Sequence, residues 1–566
     1  MQIKQTPTVY DVCIIGSGAG GGMAAYVLTQ AGANVVMLEA GPKWDSATDS
    51  AMFKWPYDSP RRGASTPERS FGEFDGCIGA WTIEGEPYTM APGSRFDWYR
   101  ARMLGGRTNH WGRISLRFGP DDFRRRSIDG LGDDWPITYD DMKPYYDRLD
   151  QLVGIFGTNE GLPNEPDGIF LPPPKPRCYE LLIKEASEKL GIPCVPSRMS
   201  ILTRPHNGRP QCHYCGQCGR GCATHSNFSS TSVFLPPALA TGKLTIITGA
   251  MAREIMTDEN GLATGVSYVN TADAREYAVR AKAIVVAGGA CESARLFFNS
   301  RSPRHPNGLS NSSGVLGKYL TDSTGLSVAG FIPKMLDMPA HNEDGIGGMH
   351  LYMPWWLDHK RAGFPRGYHI EIGGGRRMPG YGFGSGIAYM PGSNGGGYGK
   401  ALKDEYRRYY GATVGFAGRG EMVANDNCYC EIDPNTVDKW GIPVLRFHWK
   451  WSDYELQQAK HMQETFREII HTMGGEPLSP MPGRDQDYGL EPGGRIIHEA
   501  GCIRMGKDPR TSVLNEWCQA HEAKNVVVCD AGPFVSNPDK NCTWTIMALA
   551  WRTAEHLAEE MKKGNI

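Results

Sequence analysis

Short β-branched runs recur along this chain just ahead of glycines, and stretches with helical spacing lie between them. Val12, Ile14 and Ile15 predict a buried strand that stops at Gly16, and residues 34–38 predict a second strand after a helix over 22–31. Apolar positions at 136–152 and 177–190 recur with helical spacing, with Pro136 and Pro176 placed at helix starts. Strands at 244–248, 252–257, 265–269 and 277–279 read as a meander, with Asp258-Glu259-Asn260-Gly261 as one of its turns. Residues 283–287 (AIVVA) read as another buried strand, ending at Gly288-Gly289-Ala290 before a helix at 292–298.

From residue 326 the pattern changes, with strands predicted at 326–332, 368–372, 412–416, 428–432 and 443–449 and a helix at 453–473. The alternation at 368–372 sets His369 and Glu371 on one strand face, as surface polar groups or as substrate contacts. A strand at 526–528 and a helix at 545–561 return to the first pattern. The fold class is α/β plus α+β. A Rossmann-like nucleotide-binding domain is assembled from discontinuous segments, 1–325 and 484–566, and a substrate-binding domain at 326–483 is built on a mainly antiparallel sheet.

The first turn carries the sharpest chemistry. Gly16-Ser17-Gly18-Ala19-Gly20-Gly21 is a G-x-G-x-x-G pattern between strand and helix. Gly16 permits the tight turn, Gly18 and Ala19 let a pyrophosphate reach the backbone, and Gly21 lets the helix pack against the strand. The helix start offers free N–H groups to phosphates, and Glu39, closing the second strand, can accept both hydroxyls of an adenosine ribose. Further on, Gly105-Gly106-Arg107-Thr108-Asn109-His110-Trp111 allows backbone to run against a flat ring and donate N–H groups to its polar edge. His110 reads either as a hydrogen-bonded neighbour of the ring or as a covalent tether to it. Asp530, after the strand at 526–528, is placed to hold a cofactor's ribityl or pyrophosphate part.

At 566 residues the chain predicts two or more domains. Lys+Arg 60 against Asp+Glu 62 gives net charge −2, which offers no general attraction to nucleic acid or an anionic membrane. No run of 18 apolar residues suggests a spanning helix, and the short polar start before the first strand predicts folding in the cytoplasm. Residues 43–100 read as a long ordered excursion over the cofactor. Glycine-rich 373–400 reads as a lid, a subunit contact or a surface loop.

Four of the 15 cysteines stand as Cys212-x2-Cys215-x2-Cys218-x3-Cys222. Close spacing of this kind suits an iron–sulfur cluster more than structural zinc, although disulfides and free thiols remain open. No proline follows Cys222 and no second run exists, so the ligands would hold one [4Fe-4S] cluster or a [3Fe-4S] cluster on a subset, in an insert around 205–230. Near the C-terminus, His498 precedes a glycine turn and Asn541 precedes the last helix. Oxidising an alcohol by hydride transfer needs a base and a polar partner for the hydroxyl; His498 suits the first role and Asn541 the second.

With these motifs in place, the chain resembles the glucose-methanol-choline (GMC) oxidoreductases over nearly its full length. The likeness rests on Gly16 to Gly21 with Glu39, Gly105-Gly106 with Asn109-His110-Trp111, Asp438 to Val444, His498 with Gly501 and Met505-Gly506, and 530–549 including Asn541. The resemblance implies FAD as cofactor and His498 with Asn541 as the catalytic pair. Within the family the chain is similar to bacterial sugar dehydrogenases, including glucoside 3-dehydrogenases. That implies oxidation of a secondary alcohol of a glucose-like sugar or glycoside, with C3 a candidate, and electrons passing through an iron–sulfur cluster to a cytochrome c acceptor. It also implies a small signal-bearing subunit that exports the folded chain to the periplasm. The segment at His110 resembles the flavin-linked histidine of pyranose oxidases, but Asn109 departs from the usual Thr. The alternatives are an oxidase using O2 and a non-redox lyase of the same family.

Overall fold

In the computed structural model, described for residues 4–50, 55–58, 78–337, 345–357, 362–375, 387, 390–395 and 397–566, five parallel strands form the centre of the larger sheet. Their spatial order is Leu244–Thr248, Val35–Glu39, Lys4–Ile15, Glu276–Val286 and Val526–Val528, so the sheet draws on distant parts of the chain. Val12, Ile14, Val35, Val36, Ile284, Val285 and Val527 are wholly buried, as a parallel sheet covered on both faces requires. Ile15 pairs with both Leu38 and Val286, and Val286 pairs with Val528. This common register brings the turns that follow, at Gly16, Glu39, Ala287 and Cys529, to one edge of the sheet. The carboxyl edge of such a sheet is where ligands bind.

Two strand expectations are corrected here. Leu244–Thr248 is no part of the meander; it lies parallel beside Val35–Glu39. The strands expected at 277–279 and 283–287 are one strand, Glu276–Val286, because no turn residue interrupts them and Arg280 and Lys282 simply alternate outward. Its first half pairs antiparallel with Ala263–Asn270, which pairs with Ala250–Thr257, and its second half lies between Lys4–Ile15 and Val526–Val528.

Helices cover this sheet. The terminal helix Thr543–Lys563 packs on Ala19–Gln30, with Tyr26 edge-on to Trp551, and on Tyr139–Val153. The last of these starts three residues later than Pro136 suggests, because Thr138 accepts the Asp141 N–H while Asp141 accepts the Thr138 N–H. Trp544 donates to Asp150 across the same contact at 2.9 Å.

The second sheet is antiparallel throughout: Glu476–Pro477, Ser327–Phe331, Thr413–Gly420, Tyr368–Gly374, Leu351–Met353 and Val195–Pro196. Ile370, Ile372, Val414 and Phe416 pack on one side with Met462, Phe466 and Ile470 of the helix Asp453–Thr472. His369 pairs in register with Arg419, so His369, Glu371 and Arg419 share the opposite side. The hairpin Tyr429–Val437 with Pro443–His448 stands apart. It pairs with Thr89–Met90, and its Phe447 stacks on Phe96 at 4.5 Å within the core of the parallel sheet. Arg295 ties the turn of this hairpin to the parallel domain through Asp438 at 2.7 Å.

Much of the 373–400 stretch and much of the 43–100 excursion lie outside the described residues. Among the described residues, no helix is long and apolar enough to cross a membrane.

Candidate active site

A cavity of about 1060 Å³ runs along the carboxyl edge of the parallel sheet and ends under the antiparallel one. Gly16, Ser17, Gly18 and Ala19 line its start, and Glu371, Arg419, His498 and Asn541 line its far end. The glycine turn divides its roles by position. Gly16 has φ +94°, and a Cβ on it would overlap the Ala287 carbonyl; one on Gly21 would overlap the Gly16 carbonyl, so strand and helix meet backbone to backbone. Gly20 lies equally close to the Cys529 carbonyl, a constraint beyond the motif's usual three glycines. A Cβ on Gly18 would meet nothing within 4 Å. The space above Gly18, beside a helix start with no side-chain cap and no acidic residue in its first turn, is a cradle for phosphate.

Glu39 is buried beside this cradle. Its Oε2 accepts the Ser17 N–H and hydroxyl at 3.2 and 2.5 Å, and Oε1 accepts the Gly41 N–H at 2.9 Å, which leaves lone pairs for a ribose. Burial outweighs those bonds and holds the carboxyl above its usual range. Asp530 also lines the cavity, but its oxygens take the N–H groups of Gly289 and Gly532 and the Ser293 hydroxyl, tying two wall turns together. Gly106, His110 and Trp111 lie on the wall, whereas Gly21, Gly105 and Asn109 lie behind it. Asn109 donates to the Leu104 carbonyl at 2.8 Å and accepts from Thr231 at 3.2 Å, so it holds the double-glycine turn in shape. The Trp111 indole donates to the Phe228 carbonyl. Burial, with Arg113 and Arg107 nearby, lowers the His110 imidazole to about 3 and keeps it neutral. An open phosphate cradle, an acid lining the same cavity and a neutral His110 on the wall beyond fit a bound FAD.

At the far end His498 and Asn541 come together: the Asn541 amide nitrogen stands 3.4 Å from His498 Nε2. The same nitrogen donates to Glu371 Oε1 at 3.2 Å, which fixes the amide orientation and leaves its buried oxygen with no partner among the described residues. Ser323 Oγ lies 3.0 Å from His498 Nδ1, and Asp322 accepts the backbone N–H groups of Ile496, His498 and Ser323. Burial, with the cations Arg419, His369 and Arg107 outweighing Glu371, pushes His498 down to about 3. The Asn541 amide nitrogen can only donate, so the neutral ring meets it with a lone pair on Nε2, the state a proton acceptor needs.

His369 and Glu371, expected as surface polar groups or substrate contacts, are buried and half-buried in the structure. Burial alone would raise Glu371, but Arg419 at 3.1 Å, His369 and Asn541 hold it at about 2. Burial alone would lower His369, yet Asp539 and Glu371 raise it to about 9. Arg107 pairs with Glu499 at 2.7 Å on the cavity wall. Burial and the Glu499 charge raise Asp322 to about 7. Arg107 and Glu499 adjoin motif residues and were open to notice there; Ser323 and Arg419 have no motif around them.

The cysteine expectation finds no support in the structure. Among the described residues, no three His, Cys, Asp or Glu side chains converge on a metal-holding arrangement, and Cys212, Cys215, Cys218 and Cys222 are free thiols. Each of three has a local contact of its own. Cys212 accepts the Tyr214 N–H at 3.4 Å, Cys222 lies 3.5 Å from the Thr224 hydroxyl, and Cys218 packs against Gly347.

Comparison with known proteins agrees with this geometry. Residues 20–324 and 426–550 match the GMC oxidoreductase family. The chain is 29% identical to a 2-methyl-1,2-propanediol dehydrogenase of Mycolicibacterium austroafricanum, covering 97% of this chain and 95% of that one. It is 25% identical to the fructose dehydrogenase large subunit of Gluconobacter japonicus, covering 98% of each. A formate oxidase structure from Aspergillus oryzae, concerned with modification of its FAD, superposes over the whole of both chains with a TM-score of 0.65 at 14% identity. The chain therefore belongs to the GMC oxidoreductase family and is an FAD-dependent oxidoreductase acting on CH–OH groups.

Proposed function

We propose that this protein is a dehydrogenase that oxidises a hydroxyl-bearing carbon of a neutral sugar, glycoside or polyol to the carbonyl, with the secondary alcohol at C3 of a glucose-like ring as a candidate. The observation that carries the reading is the neutral His498 Nε2 beside the Asn541 amide, at the end of the cavity opposite the phosphate cradle. FAD, when bound, supplies the hydride acceptor. His498 takes the hydroxyl proton at Nε2, and Asn541, whose amide nitrogen stands beside that atom, orients the same hydroxyl by donating to its oxygen. The Glu371–Arg419 and Arg107–Glu499 pairs keep the surroundings polar while nearly cancelling in charge. The named substrates of the two relatives, a propanediol and fructose, support the hydroxylated substrate class.

Cofactor contacts through Gly16, Gly18, Ala19, Glu39, Gly106, His110, Trp111 and Asp530 belong to the same reading, with 326–483 as the substrate side. An iron–sulfur centre on Cys212, Cys215, Cys218 and Cys222, delivering to an external acceptor such as a cytochrome, is supported by the cysteine spacing alone. Iron and acid-labile sulfide in stoichiometry with flavin would establish it. A fully active protein without iron removes it, and hydrogen peroxide matching substrate turnover would make O2 the acceptor. The relative named as a large subunit supports an assembly with a smaller partner. Mixing the flavin-loaded protein anaerobically with a panel of sugars, glycosides and polyols, then identifying products, tests the main reading: bleaching of the flavin and a ketone product are expected. A flavin left oxidised by the whole panel overturns it.

A further inference from the structure

Beside His498 and Asn541 the antiparallel sheet contributes a pair of charged side chains to the cavity. Glu371 and Arg419 stand on adjacent paired strands, on the side opposite the helix Asp453–Thr472, and both line the cavity. The carboxylate is shared. Its Oε2 lies 3.1 Å from Arg419 Nη2, and its Oε1 accepts the Asn541 amide at 3.2 Å. That amide nitrogen thus stands between Glu371 and the proton acceptor His498 Nε2. Arg419 Nη1 donates to the Gly418 carbonyl at 2.8 Å, which leaves further guanidinium N–H groups unspent. The side chains are 16% and 20% exposed, open to the cavity rather than sealed behind it.

Pairing decides what such a site prefers. A lone carboxylate would draw a cation and a lone guanidinium an anion. Joined, they offer an acceptor and donors side by side with little net charge, which suits a neutral hydroxyl. The Glu371 carboxylate stays ionised across the working range, because Arg419, His369 and Asn541 outweigh the effect of burial. With the reacting hydroxyl at His498, a hydroxyl on the next carbon would come within reach of Glu371 when that carbon lies on the Asn541 side.

Building on the dehydrogenase reading above, we infer that Glu371 and Arg419 form a subsite for the hydroxyl vicinal to the one oxidised, so that the substrate class is neutral vicinal diols and polyols. Glu371 accepts from that hydroxyl and Arg419 donates to it, while Asn541 holds the reacting hydroxyl at His498. Because Glu371 also orients Asn541, its removal alone would not separate a substrate contact from an indirect effect. Comparing matched ligands does.

The test measures anaerobic flavin reduction in the holoenzyme with propane-1,2-diol against propan-1-ol, and with methyl glucopyranoside against its monodeoxy analogues. The wild-type kcat/KM is expected to be at least about 10-fold higher for the ligand with the vicinal hydroxyl, since a site built to hydrogen-bond a group rejects the analogue lacking it. Glu371→Gln and Arg419→Gln are expected to shrink that preference to within about 2-fold, mainly through KM of the diol. Equal wild-type rates with and without the vicinal hydroxyl overturn the subsite while leaving the dehydrogenase reading intact. So does an equal loss on both ligands in Glu371→Gln, the signature of an effect through Asn541 alone. Should the variants fail to fold, the wild-type comparison decides by itself. A flavin that none of these ligands nor any sugar of the wider panel reduces removes the dehydrogenase reading and the subsite with it.

Discussion

The Ser323 hydroxyl sits 3.0 Å from His498 Nδ1, and the residue before it, Asp322, holds the His498 backbone N–H at 3.0 Å. Two neighbouring residues therefore fix both the ring and the backbone of the proposed base. Ser323→Ala should lower kcat by about 10-fold through loss of ring orientation, a small share of what the base itself contributes, and leave KM nearly unchanged. Steady-state kinetics on the best substrate checks this; an unchanged kcat would show that packing alone holds the ring.

Asp322 adds a pH dependence to stability. Its folded pKa is about 7, raised by burial and the Glu499 charge, above the 3.8 of the free side chain. The stability linked to this group is fully present below 3.8 and is lost as pH rises toward 7, because across that window the folded state binds a proton that the unfolded state has released. Asp322→Asn removes the effect, so its Tm should fall less between pH 5 and pH 7 than that of the wild type, by the equivalent of about 1.4 kcal/mol per pH unit. Parallel Tm curves would contradict the assignment.

The glycine turn predicts two opposite outcomes. Gly18→Ala adds a Cβ into space that no protein atom occupies, so the apoprotein should keep its Tm while FAD affinity falls by about 10-fold or more. Gly20→Ala drives a Cβ into the Cys529 carbonyl and should prevent stable folding. Thermal melts of the apoproteins and flavin titrations separate the two.

Arg107→Ala should destabilise the protein by about 3 kcal/mol, because it strands the Glu499 carboxylate, whose side chain is only 2% exposed. Glu499→Gln combined with Arg107→Ala should recover part of that loss, as chemical denaturation of the three proteins would show.

How much of this was legible in the sequence follows the range of the forces involved. The motif from Gly16 to Glu39 is local, and its strand, turn and helix appear where residue order places them. The strand Glu276–Val286 was read as two because its identity changes midway, from a meander partner to a central parallel strand, and only long-range pairing decides that. Glu371 and His369 were visible as one strand face, but the burial of His369 and the place of Glu371 on the cavity wall depend on a sheet that borrows Val195–Pro196 from far upstream. Arg419 reaches Glu371 through register alone. Asn109 shows the converse: it stands inside a cofactor motif yet spends its side chain on the turn behind the wall. Spacing placed the four cysteines in one loop, but where each thiol points depends on its neighbours there.

The account turns on His498 as the proton acceptor for a hydroxylated substrate, and anaerobic rapid mixing of wild type and His498→Ala with the best sugar or polyol tests it most directly. The wild-type flavin should bleach, and the variant should bleach at least about 10²-fold more slowly while retaining its flavin and its Tm. Equal bleaching rates in the two proteins would contradict the claim.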